Sequence, residues 1–232
     1  MTTQMKKDTT WKAIIIGATG ATGRELLAQL LAHPPCTQVD IFVRRAPTFQ
    51  HEKLRVHIVD FMQQETWASE VQGDILFSCL GTTLKDMGSK EAQWRIDYQL
   101  VLDFASTARQ NGVDKMVLVS AAGANAASRI FYSRMKGALE NAIATLGFSS
   151  LWIFRPPLLL RPDSRRPMEI WSARILRGLN AMGFMKNQRP LPVAQLAQAM
   201  IAAVEESPEM PAIFEAKDIR ALINPLKAAR LL

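Results

Sequence analysis

The stretch WKAIIIGATGATG, residues 11–23, decides the fold. Trp11 to Ile16 is a short apolar run ended by glycine and reads as a buried strand. Gly17, Gly20 and Gly23 follow at once, and a helical pattern runs from Ala21 to roughly His33. The chemistry of such a turn is specific. The first glycine lets the chain turn tightly, the second lets backbone approach a pyrophosphate, and the third lets helix and strand pack closely. The helix start then offers free N–H groups and a positive dipole end to phosphate oxygens. Pro34 and Pro35 stop this helix.

Outward from that turn the pattern repeats. Val39–Val43, Val56–Val59, Asp74–Cys79, Lys115–Val119 and Leu151–Phe154 read as further strands. Ser89 caps a long helix that runs to about Gln110 and ends at Gly112, and another helix runs from about Ser128 to Leu146 before Gly147. This alternation predicts an α/β fold, a doubly wound parallel sheet of Rossmann type joined by right-handed crossovers. After Arg155 the regularity breaks at prolines 156, 157, 162 and 167. Met168–Met182 then reads as helical, Val193–Glu206 as an amphipathic helix and Ile213–Phe214 as a short strand. The expectation is a single domain over 1–232, with a dinucleotide-binding core at 11–155. The small C-terminal appendage, 156–232, would cover the carboxyl ends of the strands, where the substrate binds.

Composition bounds the function. With 48% hydrophobic and 21% charged residues in 232, the chain buries a sizeable core and has no room for two full-sized modules. A net charge of +7 favours anionic ligands without calling for nucleic acid. Cys36 and Cys79 build no disulfide framework, the polar N-terminus is no signal peptide, and no apolar run is long enough for a transmembrane segment. A cytoplasmic location is expected. His33, His51 and His57 are scattered, so no metal site is expected. Between Arg161 and Pro190 stand seven basic residues (Arg161, Arg165, Arg166, Arg174, Arg177, Lys186, Arg189) against Asp163 and Glu169. Trp171, Met168, Met182, Phe184 and Met185 are interleaved with them. This segment suits an anionic or apolar small-molecule substrate, an acidic protein partner, or a solvated face. Monomer and homodimer both remain open.

The end of the second strand bears on the cofactor. NAD sites place a carboxylate there, whereas this chain has Arg44-Arg45, whose guanidinium groups suit a 2′-phosphate. NADP(H) is therefore expected. Asp60 can accept from the adenine amine, and Phe61 offers it a flat face. Tyr132 and Lys136 are four apart on one helix, so an ammonium beside the phenol would lower its pKa and ready it for proton transfer. Ser120 ends the fifth strand, where its hydroxyl could bond a substrate carbonyl. Cys79 reads as a small buried residue.

These strings together, with Cys79-Leu80-Gly81-Thr82-Thr83 and Phe154-Arg155-Pro156, resemble an atypical short-chain dehydrogenase/reductase. More closely, the chain is similar to the Tat-interacting-protein-like NADPH-binding oxidoreductases from Trp11 to about Ala216. The resemblance implies that Gly17, Thr19, Gly20, Thr22 and Gly23 hold the pyrophosphate, Arg44 and Arg45 the 2′-phosphate, and Asp60 and Phe61 the adenine. It implies Leu80, Gly81 and Thr82 on the ribose side, Pro156 at the nicotinamide, and Ser120, Tyr132 and Lys136 as catalytic triad, with Lys136 also on the nicotinamide ribose. The function implied is carbonyl reduction with Tyr132 as acid. A non-catalytic NADPH-binding regulator or redox sensor is the alternative. A nucleotide-sugar epimerase or dehydratase fits the glycine turn but not the short C-terminal part. Ala121 stands where relatives often have a second serine, and the helix carrying Asp97 lacks the relay asparagine of many relatives.

Overall fold

Ile14, Ile15 and Ile16 are wholly buried, as a strand covered by helices on both faces requires. They belong to β1 (Trp11–Ile16), the centre of the fold in a computed structural model that describes residues 10–160, 189–206 and 212–223. The first half adds α1 (Ala21–Ala32), β2 (Cys36–Val43), β3 (Leu54–Ile58), β4 (Ile75–Ser78), α2 (Leu84–Met87), α3 (Lys90–Trp94) and α4 (Leu100–Gln110). The second half adds β5 (Lys115–Val119), α5 (Phe131–Ala144), β6 (Ser150–Phe154), β7 (Leu159–Leu160), β8 (Leu191–Pro192), α6 (Val193–Glu206), β9 (Ala212–Phe214) and α7 (Ala216–Ile223).

Seven strands form one sheet in the order β3-β2-β1-β4-β5-β6-β9, every pair parallel. The order reverses between β1 and β4, so the crevice for a ligand opens at the carboxyl ends of those two strands. β7 and β8 form a separate parallel pair. One apolar layer lies between the sheet and α1, α6 and α7, with Leu26, Phe77, Trp152, Leu196 and Ile219 in it. The other lies under α4 and α5, where Trp67 stacks on Phe104 at 5.1 Å.

The expected strands are all present, with shifted ends. β2 starts three residues earlier than its apolar run, because Cys36 already pairs with Trp11. β3 starts at Leu54 and is an edge strand, which leaves Val56 and Ile58 exposed. The helix expected over 128–146 begins at Phe131, since Ser128 Oγ takes the Ile130 N–H in a turn instead. The long helix after Ser89 forms with Ser89 as its cap, but residues Arg95–Gln99 make a π-helical turn inside it. The expected strand at 213–214 joins the main sheet as β9. The helix expected over 168–182, and all of the basic segment before Arg189, lie outside the described residues.

Candidate functional site

The glycine turn is built as its spacing requires. Gly17 has φ +81°, and a Cβ there would stand 2.7 Å from the Cys79 and Leu80 backbone, so the turn lies directly against the end of β4. A Cβ on Gly23 would stand 2.1 Å from the Gly17 oxygen, which fixes how closely α1 sits on the turn. The Gly20 N–H donates to the Gly17 oxygen at 3.0 Å. Gly20 caps α1 with no side-chain hydrogen bond, and the first turn holds no acidic residue. The first N–H groups of α1 thus have no side-chain partner at the cap, and a helix start of this kind suits an anion. Thr19 and Gly20 are exposed beside it, and Thr22 is buried. Arg44 and Arg45 follow β2 exposed, with no hydrogen bond or ion pair to the described residues. Asp60 is exposed, but its carboxylate already accepts from Met62 N at 3.0 Å and Gln63 Nε2 at 2.9 Å, closing a turn. Phe61 is half-buried, with its ring tilted steeply against Trp67 and Phe104. Leu80 packs on the core under α4, while Gly81 is exposed with open space around it. Pro156 is buried, and its carbonyl accepts from Ala122 N at 3.2 Å.

Thr82 is tied down by a residue whose role the sequence did not reveal. Asp97, wholly buried in the π-helical turn, accepts from Thr82 N at 2.9 and 3.0 Å and from Thr82 Oγ1 at 2.8 Å. Gln93 Nε2 adds a bond to the Thr82 carbonyl at 3.0 Å. The loop after β4 is thus held to the helix by a buried charge. Turns of this π type recur at functional sites because they re-aim side chains within a helix.

Tyr132 lies in the first turn of α5 and Lys136 one turn on, as their spacing predicts. Tyr132 is 40% exposed, whereas Lys136 is only 2% exposed. The Lys136 ammonium has no hydrogen-bonded or ion-paired partner among the described residues. Burial lowers its pKa, and the charges of Asp97 and Glu140 oppose that shift. The expectation that Lys136 lowers the phenol pKa does not hold. Tyr132 is pushed up to about 12, first by burial and then by the charge of Asp97. A phenol so placed stays protonated at neutral pH, which suits a proton donor more than a proton acceptor.

Ser120 is buried at the end of β5, and its hydroxyl donates to Glu140. Glu140 also receives Arg155 Nε at 3.0 Å and Arg155 Nη2 at 2.5 Å, a bidentate pair. Arg155 Nη1 reaches Glu215 at 3.0 Å, so the network runs from β5 through α5 to the residue before α7. The Glu140 hydrogen bonds, set against partial burial, hold the guanidinium firmly charged. Glu140 and Asp97 were not picked out as site residues from the sequence. The signal for Glu140 is a carboxylate on the buried face of α5, beside Leu139 and Ile143. Gly137 was missed likewise: a Cβ there would stand 2.3 Å from the Ala126 nitrogen, so α5 seats directly on the 125–126 backbone.

Both cysteines are inert by environment. Burial pushes the Cys79 thiol up to about 12 and the Cys36 thiol up to about 11. Thiolate is the reactive form, so neither side chain should be alkylated within an hour by iodoacetamide at pH 7.5 in the native protein. Intact-mass spectrometry would read this, and rapid addition of one label would contradict it. Among the described residues no cluster of His, Cys, Asp and Glu has the arrangement of a metal site.

Residues 17–163 match the model of a family described as NAD(P)H-binding. The chain belongs to that family. A stretch of 163 residues is 36% identical to "Protein fmp52, mitochondrial" of Emericella nidulans, covering 67% of this chain and 70% of that protein. Another, of 166 residues, is 37% identical to "Protein HTATIP2" of Rattus norvegicus, covering 69% and 67%. The resemblance to the Tat-interacting-protein-like group therefore holds. A cytoplasmic location does not: the relatives from Emericella nidulans, Aspergillus terreus and Candida albicans are all named mitochondrial. Among solved structures, the Bordetella bronchiseptica enzyme WbmH in complex with NAD+ superposes with a TM-score of 0.68 at 18% identity, over 96% of this chain and 83% of that one. The Helicobacter pylori ADP-L-glycero-D-manno-heptose-6-epimerase gives 0.66 at 15% identity, over 97% and 85%. At such identities these two share the fold alone. The family member described here thus has a Rossmann-like parallel sheet, and among its described residues no helix is long and apolar enough to cross a membrane.

Proposed function

We propose that the chain is an NADPH-dependent oxidoreductase that reduces a carbonyl compound, with Tyr132 as the proton donor. The observation that carries this reading is the buried Lys136 ammonium. It sits one turn from Tyr132 without a hydrogen-bonded partner among the described residues, ready for the hydroxyls of a nicotinamide ribose. The free start of α1 would hold the pyrophosphate, and Arg44 and Arg45 the 2′-phosphate. Asp60 and Phe61 would border the adenine, and the backbone at Leu80, Gly81, Thr82 and Pro156 would line the ribose and nicotinamide side. The bound cofactor supplies the hydride that goes to the carbonyl carbon. Tyr132 passes its proton to the carbonyl oxygen, and Lys136, one helical turn on, holds the ribose hydroxyls of the cofactor. Water reprotonates the phenolate left behind through the exposed side of Tyr132.

One observation favours the second reading, a non-catalytic NADPH-binding regulator. Ser120 gives its only hydroxyl proton to Glu140, so it can accept a hydrogen bond but has none to donate to a substrate carbonyl. NADPH consumption against a panel of aldehydes and ketones separates the readings. Tyr132→Phe should lower turnover by at least about 100-fold, as loss of a general acid does, and leave NADPH affinity within about twofold. Turnover that survives the substitution would remove Tyr132 from the chemistry. A native protein that binds NADPH and reduces nothing in the panel would favour the regulator.

A further inference from the structure

We infer that Arg155 is a positioning residue that keeps Glu140 away from Lys136 and so leaves the lysine free for the nicotinamide half of the cofactor. The inference rests on the proposed role of Lys136 and deepens it. Lys136 and Glu140 are four apart on α5, the spacing at which a lysine and a glutamate on one helix pair with each other. Both are buried, at 2% and 5% exposure, and burial strengthens such attraction. Even so, they form no ion pair. Both oxygens of Glu140 are taken by the Arg155 fork, and the Ser120 hydroxyl adds a third donor on one of them.

The fork comes from a different element, which makes it rigid. Arg155 follows β6 directly, and its N–H donates to the Phe214 oxygen at 2.9 Å, continuing the ladder to β9. Its remaining nitrogen is held by Glu215. A planar, always-charged guanidinium in that position satisfies a carboxylate on two sides, which a lysine could not. Without it, Glu140 would be a buried charge short of partners, and such charges are strongly unfavourable. A cation able to relieve it is Lys136, one helical turn away on a flexible four-carbon stem and already within the electrostatic reach of Glu140. That contact would draw the ammonium off the cofactor.

Calorimetric titration of the full chain with two probes tests this. NADPH reports both halves of the site, and adenosine 2′,5′-bisphosphate reports only the adenosine and 2′-phosphate half. Lys136→Met sets the reference and should weaken NADPH by about tenfold, the loss expected for one charge-assisted hydrogen bond, without changing the bisphosphate. Arg155→Met should do the same. The double variant Glu140→Gln, Arg155→Met removes the competing charge and should bring NADPH back to within about threefold of the native value. Three results would overturn the inference. NADPH affinity could be native in Arg155→Met, the double variant could fail to recover it, or the bisphosphate could weaken in step with NADPH, as a merely structural defect would make it. If Lys136→Met itself leaves NADPH binding unchanged, the proposed role of the lysine falls, and the role of Arg155 falls with it.

Discussion

Gly23→Ala should abolish nucleotide binding and lower stability by about 3 kcal/mol, near the top of the range for overpacking a tight contact. The added methyl would stand 2.1 Å from the Gly17 oxygen and 2.8 Å from the Ala18 Cα, both backbone atoms that have no rotamer to change. Relief requires α1 to lift from the turn, and α1 carries Leu26 and Leu30, both wholly buried. The melting temperature should drop by roughly 6–12 °C for a chain of this length. Differential scanning calorimetry with and without NADPH reads both effects. A variant that melts like the native chain and is still stabilised by NADPH would mean that the turn has more slack than its geometry allows.

The double substitution Arg44→Ala, Arg45→Ala should weaken NADPH by about 100-fold and leave NADH within about twofold. Two charge-assisted hydrogen bonds to a 2′-phosphate are together worth about 3 kcal/mol, which is that factor in affinity. Neither arginine is tied to another described residue, so their loss costs the fold little. Paired titrations with the two cofactors decide it. Equal binding of NADPH and NADH by the native chain would dismiss the arginine reading and leave an NAD(P)H site without preference.

Most of the sheet was legible because its signals are local. Apolar runs of four to eight residues bounded by glycine or proline mark β1 and β4, and the glycine triplet marks the turn between β1 and α1. The placement of Tyr132 and Lys136 one turn apart on a single helix was legible in the same way, through their spacing. What stayed hidden depends on contacts between distant segments. Nothing near Arg155 announces that its fork will meet Glu140, 15 residues earlier on another element, and Glu215, 60 residues later. The phenol of Tyr132 was misjudged for a related reason. The lysine on its own helix was visible, whereas the Asp97 charge that raises its pKa comes from a different helix. The π-helical turn that carries Asp97 is built of ordinary helix residues with no glycine or proline, so no residue type betrays it. The cytoplasmic expectation rested on two cysteines without a disulfide framework and on the lack of a signal peptide or a long apolar run, none of which bears on the mitochondrion that the relatives' names carry.

The seventh strand has a consequence for the order in which the molecule is made. β9 pairs with β6 across an intervening stretch of nearly 60 residues, and Arg155 meets Glu215 over the same span. Everything needed for the glycine turn and the arginine pair is synthesised within the first 45 residues, with β4 alongside by Ser78. A chain growing on the ribosome therefore completes β1 to β4, the glycine turn and the arginine pair well before Arg155 has both of its carboxylates. Nascent chains stalled before Ala212 should already retain immobilised adenosine 2′,5′-bisphosphate, and they should gain the full advantage of NADPH over that probe only once β9 has emerged.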